Sequence, residues 1–241
     1  MIIPIRGIVL QTIRHNDSSD IVTLFTEQRG RMSFVLRAGS SRSGRIRRAR
    51  LSPLAIVETE VNFRANKDLQ ILGEISTPHP WRNLYFDPMK GAMTIFLAEF
   101  LNKVLRTTEA DLPIWNYLLY AINSLDILER GIANYHIAFL TGLLPFVGIA
   151  PDLRTYREGS CFDMQAGVFE DLTPAHRNVI LPAEAAVIPQ MLRMNFRNMS
   201  RYRLNVGQRR HLLYWMMRYY SVHLPVDDNM RSLEVLQEVF G

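Results

Sequence analysis

Cysteine is almost absent from this chain. The single residue, Cys161, excludes an intrachain disulfide and a four-cysteine zinc site, and its isolation points to a reducing compartment. Long apolar runs are missing too. The longest, IAFLTGLLPFVGIA at residues 137–150, is shorter than the roughly 20 residues a bilayer requires and contains Pro145, so it reads as a buried helix end rather than a membrane span. The opening MIIPIRGIVL has no basic n-region and no small-residue cleavage site, and Arg6 interrupts it, so a cytosolic protein is expected. Catalytic signatures are equally scarce. The six histidines show no metal-ligand spacing, and neither a GxxxxGK loop nor a GxSxG elbow occurs, so no cofactor, metal or small-molecule substrate is expected.

What is present is an ordinary globular composition, 48% hydrophobic and 21% charged over 241 residues, enough for one large domain or two small ones. Its charge is uneven. Residues 1–80 hold 12 Lys and Arg against 7 Asp and Glu, whereas residues 81–241 hold 16 of each, so the whole net charge of +5 lies in the first third. Half of those 12 cations fall in RAGSSRSGRIRRAR, residues 37–50, which contains no acidic residue and reads as a surface loop. Such asymmetry points to a polyanion-binding module joined to a neutral one.

Five β-rich runs fill the first 76 residues: IRGIVLQTIR, DIVTLFTEQ, RMSFVLRAG, LAIVETEVNF and LQILGEIS, separated by turn residues such as Asn16, Asp17, Gly30, Pro53 and Asn66. In the last two, Val57, Val61 and Phe63 alternate with Glu58, Glu60 and Asn62, and Leu69, Ile71 and Ile75 oppose Gln70, Glu74 and Ser76, as in a sheet with one wet face. Five short strands manage their edges by closing into a small barrel, and an OB-fold has this size and strand number, with an SH3-like barrel as the alternative.

After STPHPWRNLYF the period becomes helical. Asp87 is a fitting N-cap with Pro88 at the first helical position, a second helix begins near Asp111 with Ile114, Leu118, Ile122 and Leu125 as its stripe, and a third runs through ANYHIAFLTGLL. Together these suggest a bundle. An irregular stretch at 148–182 holds a small hairpin, SCFDMQAGVFED, turned at Gln165 to Gly167. Helical signal then returns in AEAAVIPQMLRM, GQRRHLLYWMMRYYSVHL and MRSLEVLQEVF. The expected architecture is α+β: an OB-fold barrel over 1–80 and a mostly helical domain over 81–241 with the hairpin inserted.

The order of GIVL, DIVTLFTEQRGRMSFVLRAG, a basic stretch and LGEIS, followed by LLPFVGIAPDL, CFDMQAGVF, YYSVHL and RSLEVLQEVF, resembles the RecO family of bacterial recombination mediators along essentially the whole chain. The resemblance implies an N-terminal OB-fold before a helical domain, binding of single- and double-stranded DNA, and annealing of complementary strands. It also implies cooperation with RecR and with single-strand-binding protein during loading of RecA, as part of the DNA-damage response at the bacterial nucleoid. Many RecO proteins carry a four-cysteine zinc finger after the third bundle helix; here only Cys161 stands there, so Phe162, Met164, Val168 and Phe169 are expected to hold the hairpin by packing.

Candidate DNA contacts in the barrel are Arg37, Arg42, Arg45, Arg47, Arg48 and Arg50, joined from other turns by Arg14, Arg64 and Lys67, because planar guanidinium groups suit phosphate oxygens. Phe34 and Phe63 are candidate base-stacking residues, although both read more simply as core. A second basic tract between Glu184 and Asp227 contains Arg193, Arg197, Arg201, Arg203, Arg209, Arg210 and Arg218. It either extends the DNA track or receives the acidic, apolar tail of single-strand-binding protein beside Tyr214, Trp215 and Tyr219; alternatively, the aromatics are core and the arginines snorkel round them. Asp163, Glu170 and Asp171 supply the rival reading of a metal-dependent nuclease, and a protein adaptor without DNA affinity is the other rival. His136 reads as a satisfied core histidine and Cys161 as a small buried hydrophobe, with a reactive thiol as its alternative.

Overall fold

The computed structural model describes residues 1–39, 41–226 and 230–240. Ser40, inside the arginine-rich stretch, and Asp227, at the end of the second tract, lie outside the described residues.

The strands are β1 (Ile2–Asn16), β2 (Ser19–Thr26), β3 (Gly30–Arg37), β4 (Ile56–Asn62), β5 (Leu69–Ile71) and β6 (Ile75–Ser76), hydrogen-bonded in the order β5-β3-β2-β1-β4-β6. Long β1 serves two neighbours, pairing with β4 through Ile2–Ile8 and with β2 through Gly7–Asn16, and its register shifts after Val9, where a bulge bends it. The expected fifth strand is divided. Its first part, β5, runs parallel to β3, and its second, β6, runs antiparallel to β4, so one short segment meets both edges of the curled sheet. Gly73 lies between them, where a Cβ would stand 2.3 Å from the Glu60 carbonyl oxygen. This strand order, with a helix between the third and fourth strands, is that of the OB-fold rather than the SH3-like alternative.

Inside the sheet Ile5, Val9, Val22, Leu24, Phe34, Leu36, Val57, Val61, Leu72 and Ile75 form one core. Two expectations fail at its edge. Leu69 and Ile71 face solvent while Gln70 is 4% exposed, because the Gln70 amide is used to hold the preceding loop. Phe63 lies just beyond β4 and is half-exposed rather than core. A third correction concerns the arginine-rich stretch, which is not an open loop: residues Arg42–Ala49 form helix α1. Ser41 caps it by accepting from the Gly44 amide at 3.1 Å, and Arg47 and Arg48 stand in the last turn, where cations suit the helix dipole.

Helix α2 (Pro88–Val104) begins as expected, with Asp87 accepting from the amides of Met89 and Lys90, and α3 (Leu112–Ile127) is capped by Asp111 at the Ile114 amide, 2.9 Å away. Then come α4 (Tyr135–Leu143), a three-stranded sheet of β7 (Cys161–Asp163), β8 (Val168–Glu170) and β9 (Val179–Ile180), helices α5 (Pro182–Ala185), α6 (Ile188–Met191) and α7 (Val206–His223), and finally α8 (Arg231–Val239). The helix expected across AEAAVIPQMLRM is broken into α5 and α6, since Pro189 has no amide to continue the ladder.

Two compact units result: Met1–Ile127 with Met230–Val239, and Leu128–Asn229 with Phe240–Gly241. The three helices expected as one bundle are thus shared out, α2 and α3 to the first unit and α4 to the second. Residues 81–84 are bound firmly into the first unit. Trp81 Nε1 donates to the Leu54 carbonyl at 3.1 Å, and the buried Asp126 carboxylate accepts from the amides of Arg82, Asn83 and Leu84.

Candidate nucleic-acid interface

The six arginines of residues 37–50 do not share one environment. Arg47 donates to the carbonyls of Arg37 and Gly73, each at 2.8 Å, and Arg50 donates to the Ile75 carbonyl. Arg48 Nε meets the Asp20 carboxylate at 2.5 Å, and the rest of its guanidinium reaches the carbonyls of Ala38 and Gly39. These three fasten α1 to the closing segment of the barrel and to the end of β3. Asp20 is only 2% exposed, so Arg48 is the partner that makes its burial tolerable. Arg37, Arg42 and Arg45 are exposed, as is the rest of Arg50. Arg14, at the end of the β1–β2 hairpin, pairs with Asp17 at 3.3 Å, and the hairpin lies beside α1 because Ser19 pairs with Arg37.

Strand β3 leads from this cluster to a second one. Its inward residues are Met32, Phe34 and Leu36, so the two-residue period turns Arg31, Ser33, Val35 and Arg37 outward. Eight residues span about 25 Å. At the far end lies a cleft of about 770 Å³, lined by Arg29, Phe63, Lys67, Lys103 and Arg106 among others. Arg31 donates to the carbonyls of Asn102 and Leu105 at the C-terminal end of α2, and burial, helped by the charge of Arg106, lowers its pKa. Arg29, Arg31, Lys103 and Arg106 were absent from the sequence-derived set. One signal was available: the even spacing of Arg31 and Arg37 in RMSFVLR places both on one face of a strand. No local signal brings Lys103 and Arg106, on a distant helix end, to that strand.

Lys67 lies in this cleft, but it and Arg64 also line a second, larger one of about 980 Å³ that includes Glu27, Glu58, Glu60 and Glu74. Arg6 is held there by Glu27 and Glu58 at 3.9 and 3.6 Å. On that side of the barrel four carboxylates stand among the cations Arg6, Arg64 and Lys67.

In the second unit, Arg193, Arg197, Arg201, Arg203 and Arg210 are exposed, while Arg209 is half-buried and donates to the carbonyls of Leu204 and Phe240 at 2.6 and 3.2 Å. The segment carrying Arg193 to Arg203 is secured by Asn134, whose amide donates to the carbonyls of Met199 and Tyr202, and by Phe196 stacked on Tyr135 at 4.9 Å. Of the three aromatic candidates, Tyr219 is core: its hydroxyl donates to the Ile149 carbonyl at 2.8 Å, and burial pushes its pKa up to about 12. Trp215 is half-exposed with Arg218 over its ring at 5.7 Å, and it borders a small apolar hollow lined by Phe162, Ile188, Met191 and Leu212. Beside it, His211 Nε2 is 2.9 Å from both Glu184 Oε1 and Trp215 Nε1, so one ring nitrogen is contested by an acceptor and a donor.

Comparison with known proteins bears on all of this. The family described as "Recombination protein O N terminal" matches residues 1–80, and "Recombination protein O C terminal" matches residues 85–233. The DNA repair protein RecO of Phocaeicola vulgatus is 36% identical over 235 residues, covering 98% of each chain. That of Bacteroides fragilis is also 36% identical, covering 97% of each, and that of Porphyromonas gingivalis is 33% identical over the full length of both. The chain belongs to the RecO family. Membership gives it a place in DNA repair, and no helix among the described residues is long and apolar enough to cross a membrane.

For a RecO protein with one cysteine, the small sheet of β7–β9 is held by other means. Phe162, Met164 and Phe169 are buried, Val168 is half-buried, Phe162 packs on Phe169 and Tyr219, and Gly167, at φ +69°, makes the turn. Cys161 is buried, its thiol donating to the Glu170 carbonyl at 3.2 Å. Asp163 also serves this turn. Burial alone would raise its pKa, but the amides of Ala166 and Gln165 and the His176 ring, 3.2 Å away, outweigh that and hold the carboxyl below its usual range. Its oxygens are therefore occupied, whereas Glu170 and Asp171 are exposed, and among the described residues no group of three or more His, Cys, Asp or Glu is gathered to hold a metal. His136 is buried, but its Nδ1 has no hydrogen-bond partner among the described residues, so within them it is not the satisfied histidine expected.

Proposed function

We propose that this RecO protein is a non-enzymatic recombination mediator whose barrel binds single- and double-stranded DNA through the phosphate backbone, with little regard to sequence. The observation that carries this reading is the row along β3, with exposed cations at one end around Arg37 and Arg42 and a cation-lined cleft at the other. Binding is driven by release of condensed counterions, and two complementary strands held on such a surface are concentrated for annealing. Of the expected contacts, Arg14, Arg37, Arg42 and Arg45 face DNA, while Arg47, Arg48 and Arg50 position α1.

The helical unit recruits partners. We assign the acidic, apolar tail of single-strand-binding protein to the hollow beside Trp215, since that site joins an apolar floor to the Arg218 guanidinium. Cooperation with RecR and delivery of RecA to coated single strands in the bacterial cytoplasm are part of this proposal, and membership of the family is what supports them. The test is oligonucleotide binding across a salt series. The wild-type logarithmic slope on single strands is about 0.7 per phosphate contact, and Arg14→Glu, Arg37→Glu and Arg42→Glu together flatten it. Absence of affinity at low salt would leave an adaptor role, and magnesium-dependent cleavage would restore the nuclease reading.

A further inference from the structure

The cleft at the far end of β3 contains more than positive charge. Phe63 is half-exposed within it, and the Arg29 guanidinium lies 4.1 Å above the ring centroid. Lys67, Lys103 and Arg106 border the same space, against one carboxylate, Asp68, among the described lining residues. A flat aromatic surface ringed by cations suits a ligand that is both flat and anionic. A nucleotide has these two properties.

We infer that this cleft is a base-stacking site for single-stranded nucleic acid, in which Phe63 receives one unpaired base while Lys67, Lys103 and Arg106 receive the adjoining phosphates. The inference rests on the reading of the barrel as a DNA-binding surface and deepens it, because it gives that surface a means of telling single strands from duplex. A paired base is already stacked on its neighbours and cannot reach the ring. A splayed base can, and base–aromatic stacking is generally stronger than an exposed cation–π contact, so the base displaces Arg29 and the freed guanidinium turns to phosphate.

The parts are held in advance. Phe63 donates its amide to the Met1 carbonyl at 3.0 Å. In the loop that follows, Gln70 accepts from the Arg64 amide at 3.0 Å and donates to the carbonyls of Arg64 and Lys67. On the opposite wall, Arg29 precedes Gly30, whose φ is +60° and whose missing Cβ leaves room for the Thr107 and Glu109 carbonyls. Arg31 then donates its amide to Thr107 at 2.8 Å. A backbone held in this way on both walls loses little freedom on binding.

The experiment compares wild type, Phe63→Ala and Phe63→Trp in the full chain, against an oligothymidylate, an abasic strand of equal length and a blunt duplex. Phe63→Ala is expected to weaken oligothymidylate binding by about 5- to 150-fold without weakening binding of the abasic strand or the duplex and without lowering the salt slope, since no phosphate contact is removed. Phe63→Trp retains the affinity and gains a fluorescence signal that oligothymidylate quenches and the abasic strand does not. Equal loss on all three ligands, unchanged oligothymidylate affinity in Phe63→Ala, or competition by thymidine monophosphate at equal concentration would overturn the inference. Should Phe63→Ala fail to fold, absence of quenching in Phe63→Trp overturns it alone. Wild type that binds none of the three at low salt defeats the underlying DNA-binding reading instead, so the two failures are distinct.

Discussion

The two ends of β3 carry the same kind of residue in different employment. At the α1 end, Arg47, Arg48 and Arg50 reach five backbone carbonyls and one buried carboxylate, and the helix is held by them. At the other end, Arg31 is fastened in the same way to the carbonyls of Asn102 and Leu105, but Arg29 rests on an aromatic face, and Lys67, Lys103 and Arg106 border a cleft. The difference lies in what stands nearby. A helix laid over strand ends covers carbonyls that the sheet leaves unpaired, and guanidinium groups satisfy them; at the cleft it is the Phe63 ring that takes the Arg29 guanidinium. Arginine density in a sequence therefore reports charge, not its availability to a ligand.

The largest expected effect tests the fastened end. Arg48→Ala strands the buried Asp20 carboxylate and is expected to cost about 3–5 kcal/mol in urea unfolding of the full chain. Arg42→Ala, at the exposed start of the same helix, is expected to change stability by no more than about 0.5 kcal/mol. Equal effects would dissolve the distinction between the two classes of arginine.

At the open end, Gly30→Ala places a Cβ 2.3 Å from the Glu109 carbonyl oxygen at a positive φ, and about 2–4 kcal/mol of stability is expected to be lost. The same substitution should weaken single-strand binding more than duplex binding, because it disturbs the wall that carries Arg29.

The second unit supplies a pH-dependent contrast. Burial, with a smaller contribution from the Arg209 charge, lowers the His136 pKa to about 3. The unfolded chain takes up this proton near pH 6.5 and the folded chain does not, so the unfolded state binds more protons between about pH 6.5 and 3, and stability falls as pH falls through that window. At pH 5.5 the loss relative to neutral pH is about 1.4 kcal/mol, and His136→Gln should abolish that slope in thermal melts. A variant as pH-sensitive as wild type would show that His136 does not govern it.

Smallest in stability, and most direct for function, is the triple reversal Arg14→Glu, Arg37→Glu and Arg42→Glu. Its folding free energy should stay within about 1 kcal/mol of wild type, while its salt slope on single strands falls by about 2 if all three cations meet phosphate. A slope that does not move would shift the DNA path away from the α1 end.

Much of the barrel was legible because it depends on local rules. Alternation in β4, turn residues between strands, and the Asp87–Pro88 helix start each follow from residue types a few positions apart. Reading failed where a residue answered to a particular hydrogen-bond partner rather than to the period of its element. Gln70 points inward against the alternation because its amide holds the loop at 64–67, and Leu69 and Ile71 turn outward as a consequence. The stretch at 37–50 read as a loop because six arginines and several small residues show no apolar face. It forms a helix because Ser41 caps it and its arginines find acceptors in the strands around it.

Sequence alone determined that the chain is basic in its first third, that this third is a small β-barrel, and that no four-cysteine zinc site is possible. Those properties follow from charge, period and ligand number, which need no partner elsewhere in the chain. Only the tertiary structure decided which cations remain open to solvent and where Phe63 lies. Both depend on acceptors and cations that the fold brings from far along the chain: Asp20, Gly73 and Ile75 at one end of β3, Lys103 and Arg106 at the other.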